Sequence, residues 1–524
     1  MKNNDDYVLT IDFGTQSVRT IIFDYNGNVI AFAKSEYEEP YFSPAPGYCE
    51  QNPEYYWEHM LKTTNEVARQ APDVLQKIKS MGITCFRDTP VFLDKDLNVV
   101  RPSILWLDQR QAVLKEKLPL FHRFAFKIVG MSEVVKLNMK RTPAIWLQEN
   151  EPENWNKIDK YVPLSCYLIY RLTGQLKDSP ANCTGHFPIN FKKLAWRTKH
   201  DLQRVVFRIP NRMLCDLVPV GEAIGTISEE VSKVSGIPAG INLYSTGSDK
   251  GSETIGTGSK PLTMASISYG TASSVEVMMK KYVEPSPFLP AYGAPIPGFY
   301  QTEFQVYRGY WMITWFMKEF GKGETAEAKI LDMATEEVLN QKMLAIPPGS
   351  DGLVLQPYWG PGLDRPEARG AVIGWTDIHT RMHLYRAIVE GIAYELRDNL
   401  ERIEKNAHTK VTEIRLSGGG ARSSAICQIT ADIFGLPVAR VKNTEAASVG
   451  TAIAVGLADG TFKSLEEATE RMVEVQDRFE PNPENQAKYD YLFNKVYKHM
   501  YPRLSSLYKK IREYKNEYPS NGQN

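Results

Sequence analysis

The run Val8-Leu-Thr-Ile11-Asp12-Phe13-Gly14-Thr15-Gln16-Ser17-Val-Arg19-Thr-Ile-Ile-Phe23 decides the fold. Val8, Ile11 and Phe13 alternate with polar neighbours, the period of a strand with one buried face, and the run breaks at Gly14-Thr15-Gln16-Ser17. A second β-rich stretch, Arg19 to Phe23, leads into Asn26-Gly27. That dipeptide favours a type I′ hairpin turn, whose two central residues need positive φ, and a third strand is expected over 28–33. Three antiparallel strands with a Gly-Thr turn at the first reversal follow. Near residue 265 the pattern returns as Ser266-Ile-Ser-Tyr-Gly270-Thr271-Ala-Ser-Ser-Val-Glu-Val277. A chance recurrence of Gly-Thr is the plain alternative. A true repeat predicts two similar halves, each presenting a hydroxyl-bearing turn, with the boundary in the Gly/Ser/Lys/Pro stretch Gly256 to Pro261.

Outward from these runs, helices alternate with short strands. Residues 54–70 and 143–150 carry helical periodicity, while 91–94 and 104–106 read as strands. Tyr41 to Tyr48, rich in proline and aromatics, reads as a surface loop. In the second half Leu384, Ile388, Ile392, Leu396 and Leu400 form one apolar helix stripe. A strand over 411–416, a tight loop at Gly418-Gly419-Gly420 and a helix over 424–434 come next, with Gly435 as its stop. A strand over 437–441 and a helix over 446–457 follow, then a polar amphipathic helix beyond Glu480 with a frayed end over 518–524. The class is α/β.

The 524 residues suit two to four domains at about 150 residues each. Hydrophobic residues make up 43% and charged residues 24%, ordinary globular usage that argues against disorder. Lys+Arg and Asp+Glu both number 62, so the chain has no electrostatic footprint for nucleic acid or an anionic membrane. No apolar run reaches 18 residues, and the start lacks the pattern of a signal peptide. The six cysteines are scattered, with no CxxC pair or zinc-like spacing, as expected of thiols in a reducing cytoplasm.

Three glycine-rich turns stand at strand ends: Gly14-Thr15, Gly270-Thr271 and Gly418-Gly419-Gly420. Glycine lets the backbone approach a phosphate, and exposed N–H groups ahead of a helix favour anions; any one of them alone reads first as a tight turn, and it is the three together that point to a nucleotide site. There is no GxxxxGK[ST] loop, no GxGxxG after a strand and no kinase His-Arg-Asp loop. Asp12 lies inside an apolar strand, where an unpaired buried carboxylate costs several kcal/mol. A paired cation, a strand-end hydrogen bond, or Mg²⁺ with a phosphate group would offset that cost. Asp249 follows a strand within Gly247-Ser-Asp-Lys250-Gly-Ser252, placed either to accept a hydroxyl proton or to cap the next helix. Arg87-Asp88 sets a donor fork beside an acceptor, which suits vicinal hydroxyls or a surface ion pair. Trp106, Tyr307 and Trp311 could stack on a sugar face, though aromatics at such spacing are usually core. The histidines do not cluster, so no histidine triad or zinc site is expected.

In these runs and their order the chain resembles the FGGY family of carbohydrate kinases, of the xylulose and glycerol kinase kind, along essentially its full length. The family shares the superfold of actin, hexokinase and the Hsp70 ATPase. Besides 11–19, the matching runs are Arg101-Pro-Ser-Ile-Leu-Trp-Leu-Asp-Gln-Arg110 and Tyr170-Arg-Leu-Thr-Gly174. Most specific are Glu367-Ala-Arg-Gly-Ala-Val-Ile-Gly-Trp375 with His379-Thr-Arg381 and Tyr385 to Tyr394, then Leu416 to Ser424 with Gln428-Ile-Thr-Ala-Asp432. The resemblance implies two actin-like (ribonuclease H-like) ATPase domains over 1–258 and 259–480, a helical tail over 481–524, and a cleft holding ATP and the acceptor. It implies Asp249 as general base and Asp12 as the Mg²⁺-associated aspartate. Thr15, Gln16, Arg19, Gly270, Thr271, Gly309, Gly419, Gly420 and Ser424 fall at ATP-binding positions. Arg87, Asp88, Trp106, Asp249 and Lys250 fall at positions that meet the sugar or polyol.

The chain also departs from the pattern. Xylulose kinases typically carry Met-His where Arg87-Asp88 stands, and glycerol kinases Arg-Glu. An amide usually follows the base, and here it is Lys250, a cation that would lower the Asp249 pKa and could meet an acidic substrate, with Arg308 as a second candidate. ATP-dependent phosphorylation of a small sugar or polyol is the expected activity. A kinase-like sensor that binds without turnover is the competing one, and a homodimer is left open.

Overall fold

The computed structural model describes residues 6–286, 289–360, 362 and 365–518. The strands of its two main sheets are, in chain order, β1 (Tyr7–Phe13), β2 (Ser17–Asp24), β3 (Val29–Glu36), β4 (Ile78–Cys85), β5 (Ala223–Thr226) and β6 (Asn242–Tyr244). They continue as β7 (Met264–Tyr269), β8 (Ser273–Met279), β9 (Tyr300–Val306), β10 (Glu413–Ser417), β11 (Val438–Val441) and β12 (Val475–Phe479). The helices used below are α1 (Pro53–Gln70), α2 (Asp249–Gly256), α3 (Trp311–Phe320) and α4 (Arg381–Ala407). After them come α5 (Ser424–Phe434), α6 (Ala446–Ala458), α7 (Pro483–Leu492) and α8 (Lys498–Glu517).

The described residues form two compact units. Of the described residues, the first unit draws on 6–256, 292–299 and 445–473, and the second on 257–291, 300–444 and 474–518. Residues 292–299 and 445–473, which the sequence assigns to the second domain, therefore pack with the first unit. The tail from 474 to 518 packs with the second unit and does not stand as a separate segment, while all but Tyr518 of the expected frayed end over 518–524 lies outside the described residues.

In the first unit the sheet order is β5-β6-β4-β1-β2-β3. β1 runs antiparallel to β2, with Asp12 opposite Arg19, and parallel to β4, with Asp12 opposite Thr84. The apolar face of α1 (Tyr56, Met60, Val67) packs on β2 and β3, and α6 packs on β1 and β4. This covers the sheet on both faces, so nearly every residue of β1 is buried. In α6 every residue from Ser448 to Gly456 is buried.

The second unit repeats this plan in the order β9-β8-β7-β10-β11-β12 among its strands. Each unit has an antiparallel three-stranded meander, then two parallel strands beside the first strand of the meander, then an antiparallel edge. Gly14-Thr15 and Gly270-Thr271 occupy the same reversal in the two meanders. The recurrence in the sequence is therefore a repeat of structure.

Local readings differ from the structure in three places. The β2–β3 hairpin forms, but its turn is not type I′: Gly27 has φ +82° while Asn26 keeps negative φ. The Asp24 carboxylate organises the loop instead, accepting the Asn26 and Asn28 N–H groups at 2.8 and 2.9 Å and the Asn28 side chain at 2.8 Å. The strand expected over 104–106 is only Ser103–Ile104. The stripe on α4 understates its burial, since Tyr385 to Leu396 are buried all round between β8, β9 and α5. Among the described residues no helix is long and apolar enough to cross a membrane, and none of the six cysteines is bridged.

Candidate acceptor and nucleotide sites

In the first unit an acidic cluster gathers around the ends of β1 and β4. Asp12 is buried and meets Arg19 Nη1 at 3.3 Å, while Arg19 Nε lies 2.8 Å from Glu445 at the start of α6. Burial pushes the Asp12 carboxyl up to about 7; Arg19 opposes the rise, and Asp249, Glu445 and Glu253 add to it by repulsion. Among the described residues no group of three or more His, Cys, Asp or Glu side chains is placed to hold a metal by itself. The cluster is nonetheless a hard-oxygen set, and Mg²⁺ is commonly held by one or two carboxylates together with phosphate oxygens and water. Asp12 fits that arrangement as the protein's donor.

Asp249 is the first residue of α2, one position past the N-cap that its capping alternative called for, and 29% of its side chain remains exposed. Its Oδ1 accepts the Lys250 N–H at 2.8 Å, with Arg87 Nε at 4.0 Å. Burial raises its pKa overall; Arg87 and then Lys250 oppose the rise without reversing it. The lowering expected from Lys250 is therefore present but outweighed. Lys250 Nζ itself sits 2.6 Å from Glu253, one turn along the helix. α2 is held against α6 by direct backbone packing. A Cβ on Gly450 would fall 1.7 Å from the Ser252 carbonyl oxygen, and one on Gly256 would fall 1.8 Å from that of Ala446.

Arg87 and Asp88 diverge. Arg87 lies toward Asp249 and over the Tyr292 ring, 5.1 Å from its centroid, whereas Asp88 is bound by His186. Trp106 donates from Nε1 to Thr15 Oγ1 at 3.2 Å, which brings an expected acceptor residue and an expected phosphate-loop residue together. Gln16 is exposed beside them. His186, Glu253 and Glu445 were not among the sequence candidates. No local motif marks them; they reach the cluster from segments far away in the chain or from the helix turn after the base.

In the second unit the Gly270-Thr271 turn is braced by the start of α3. The Tyr310 N–H donates to the Gly270 carbonyl at 3.1 Å and the Trp311 N–H to that of Thr271 at 3.3 Å. Gly309 is what allows this approach, because a Cβ there would fall 2.1 Å from Ser273 Oγ. Thr271 is exposed. In the Gly418-Gly419-Gly420 loop, Gly420 lies against the Tyr310 ring, while the side-chain direction of Gly419 is open. Of these two candidates, Gly419 has room for a ligand and Gly420 packs the loop. Ser424, exposed in the first turn of α5, accepts from Arg440 Nη2 at 3.3 Å. A cavity of about 250 Å³ opens beside this loop, lined by Ser417, Gly418, Arg422, Arg440, Thr444 and Gln476 among others. Arg308 stacks on Trp311 at 4.9 Å.

Family models for the FGGY family of carbohydrate kinases match this chain, the N-terminal domain over residues 7–256 and the C-terminal domain over 265–458. A xylulose kinase of Lactococcus lactis subsp. lactis (strain IL1403) is 28% identical over 517 residues, covering 98% of this chain and 99% of the relative. A glycerol kinase of Aquifex aeolicus (strain VF5) is 28% identical over 486 residues, covering 90% and 94%. In fold, the chain is similar to a ligand-bound xylulose kinase from Lactobacillus acidophilus, with a TM-score of 0.80 at 22% identity over 97% of this chain and 100% of that one.

Proposed function

We propose, from the premise that the chain belongs to the FGGY family of carbohydrate kinases, that it transfers the terminal phosphoryl group of ATP to a hydroxyl of a neutral sugar or polyol, with Asp249 as the base. The observation that carries this reading is the partly exposed Asp249 carboxylate, which shares one acidic cluster with the buried Asp12. Lys250 N–H and Arg87 both address Oδ1, so Oδ2 is assigned to take the hydroxyl proton as the oxygen attacks phosphorus. The raised pKa makes this carboxylate a stronger base than an exposed aspartate. Thr15, held by Trp106, and Thr271 offer hydroxyl and backbone donors to phosphate oxygens, and the open side of Gly419 with Ser424 receives the nucleoside portion. When bound, Mg²⁺ neutralises charge on the phosphates, and Asp12 is its protein donor.

Two features favour a neutral acceptor over an acidic one. Carboxylates outnumber cations in the cluster by four (Asp12, Asp249, Glu253, Glu445) to three, and each cation already faces an acid: Arg19 with Asp12 and Glu445, Lys250 with Glu253, and Arg87 with Asp249. An incoming anion would meet that field unfavourably. The names of the relatives point to xylulose and glycerol as first acceptors to try. Coupled ADP release with Mg-ATP over D-xylulose, glycerol, erythritol, ribitol, aldoses and sugar acids tests the proposal. One neutral acceptor raising the rate far above background supports it. A flat panel from a protein that still binds nucleotide favours the sensor reading, and a sugar acid as the best acceptor overturns the neutral class.

A further inference from the structure

Asp88 has φ +57°, a left-handed conformation that Asp adopts more readily than most non-glycine residues. Its carboxylate is held by the segment 178–186. At its start the buried Asp178 accepts from Ser165 Oγ at 2.6 Å, the Ser179 N–H at 2.7 Å and Asn182 Nδ2 at 2.8 Å. Ser179 Oγ donates to the Thr246 carbonyl at 2.5 Å, in the strand-end loop that carries Asp249. At its far end the His186 N–H donates to Asp88 Oδ1 at 2.8 Å, and His186 Nδ1 lies 2.8 Å from Oδ2 and 3.1 Å from Oδ1. Gly185, at φ +77°, makes room: a Cβ there would fall 2.2 Å from Asp88 Cγ. One anchored segment thus ties the loop of the base to the carboxylate of Asp88.

We propose that His186 is a positioning residue for acceptor recognition, holding Asp88 so that its carboxylate accepts one hydroxyl of the substrate. The role rests on the kinase reading above and deepens it by naming what the acceptor must present. A nitrogen that faces a carboxylate at this distance carries the hydrogen, so Nδ1 donates. With the backbone N–H and Nδ1 directed at the two oxygens, the remaining lone pairs point in fixed directions. A hydroxyl can donate there, and a carboxylate or phosphate cannot. Asp88 keeps 23% of its side chain exposed and is reachable. The chemical class is a neutral polyol or sugar whose hydroxyl donates to Asp88 while another hydroxyl gives its proton to Asp249.

The test compares the full-length wild type with His186→Ala, His186→Asn and Asp88→Asn on D-xylulose, ribitol, erythritol and glycerol at saturating Mg-ATP. In His186→Ala the acceptor KM rises about 10-fold, as for loss of a hydrogen bond to a charged group. Its kcat stays within about threefold, the KM for ATP is unchanged, and the spread of kcat/KM across the four acceptors narrows. His186→Asn, whose Nδ2 can stand in for Nδ1, recovers most of the KM. In the Asp88→Asn background His186→Ala adds little further. Should His186→Ala not fold, His186→Gln serves in its place. A folded His186→Ala with wild-type KM and selectivity overturns the role, and so does a KM effect that persists undiminished in Asp88→Asn. A wild type inactive on every acceptor overturns the kinase reading and this role with it, so the two failures are distinct.

Discussion

Asp12 and Asp249 belong to one acidic cluster, yet their surroundings differ. Asp12 is enclosed, and its carboxyl is pushed up to about 7. A folded-state pKa above the unfolded value means the native state binds the extra proton, so stability falls as pH rises from about 4 through 7. Asp12→Asn removes that liability. Thermal or denaturant unfolding should show the variant more stable than wild type at pH 8, by up to about 4 kcal/mol at full ionisation, with the gap closing toward pH 4. The same variant should need far more Mg²⁺ for turnover. Asp249→Asn should lower kcat by about 10²–10⁴ while ATP still raises the unfolding temperature; retained turnover would remove Asp249 as base. Both aspartates were legible in the sequence, because a carboxylate inside an apolar strand or a glycine loop is conspicuous. His186 and Glu445 were not, since their partners Asp88 and Arg19 lie far from them in the chain and only the folded backbone joins them. Asp88 was legible as an acceptor, but the close approach of Gly185 to its carboxylate could not be read locally.

Elements repeat the lesson with backbone in place of side chains. The Gly-Thr turns at the β1–β2 and β7–β8 reversals were legible because alternation and a glycine break are local signals. The β2–β3 turn type was not, because the Asp24 carboxylate competes with the intrinsic preference of Asn26-Gly27. The contact of α2 with α6 was equally hidden: neither Gly256 nor Gly450 announces that it touches the other helix. Gly450→Ala should force these helices apart, since no side-chain rotation relieves a Cβ 1.7 Å from a carbonyl oxygen. Destabilisation by at least about 3 kcal/mol in chemical unfolding is expected. Because α2 begins at Asp249, kcat should fall as well, and a variant with unchanged stability would mean the two helices are not in backbone contact.

At the scale of the whole molecule, the sequence conveyed two similar halves but not how the chain divides between them. The tail reads as polar and peripheral, yet Tyr489, Phe493 and Tyr497 lie in the core of the second unit. Tyr489 donates to Glu390 at 2.8 Å and accepts from Arg386 at 2.8 Å, and Tyr497 donates to Glu395 at 2.6 Å. Removing 481–524 should therefore unfold the second unit and abolish binding of a non-hydrolysable ATP analogue, measured by calorimetry; retained binding would make the tail dispensable. The placement of α6 in the first unit has a consequence in time. This helix, which covers β1 and β4, leaves the ribosome only after most of the second unit has been made, several hundred residues behind the strands it buries. At roughly 5–20 residues per second that delay is on the order of tens of seconds. Throughout it, one face of the first sheet is an exposed apolar surface on a nascent chain, a window for chaperone capture that ends only when residues near 458 emerge.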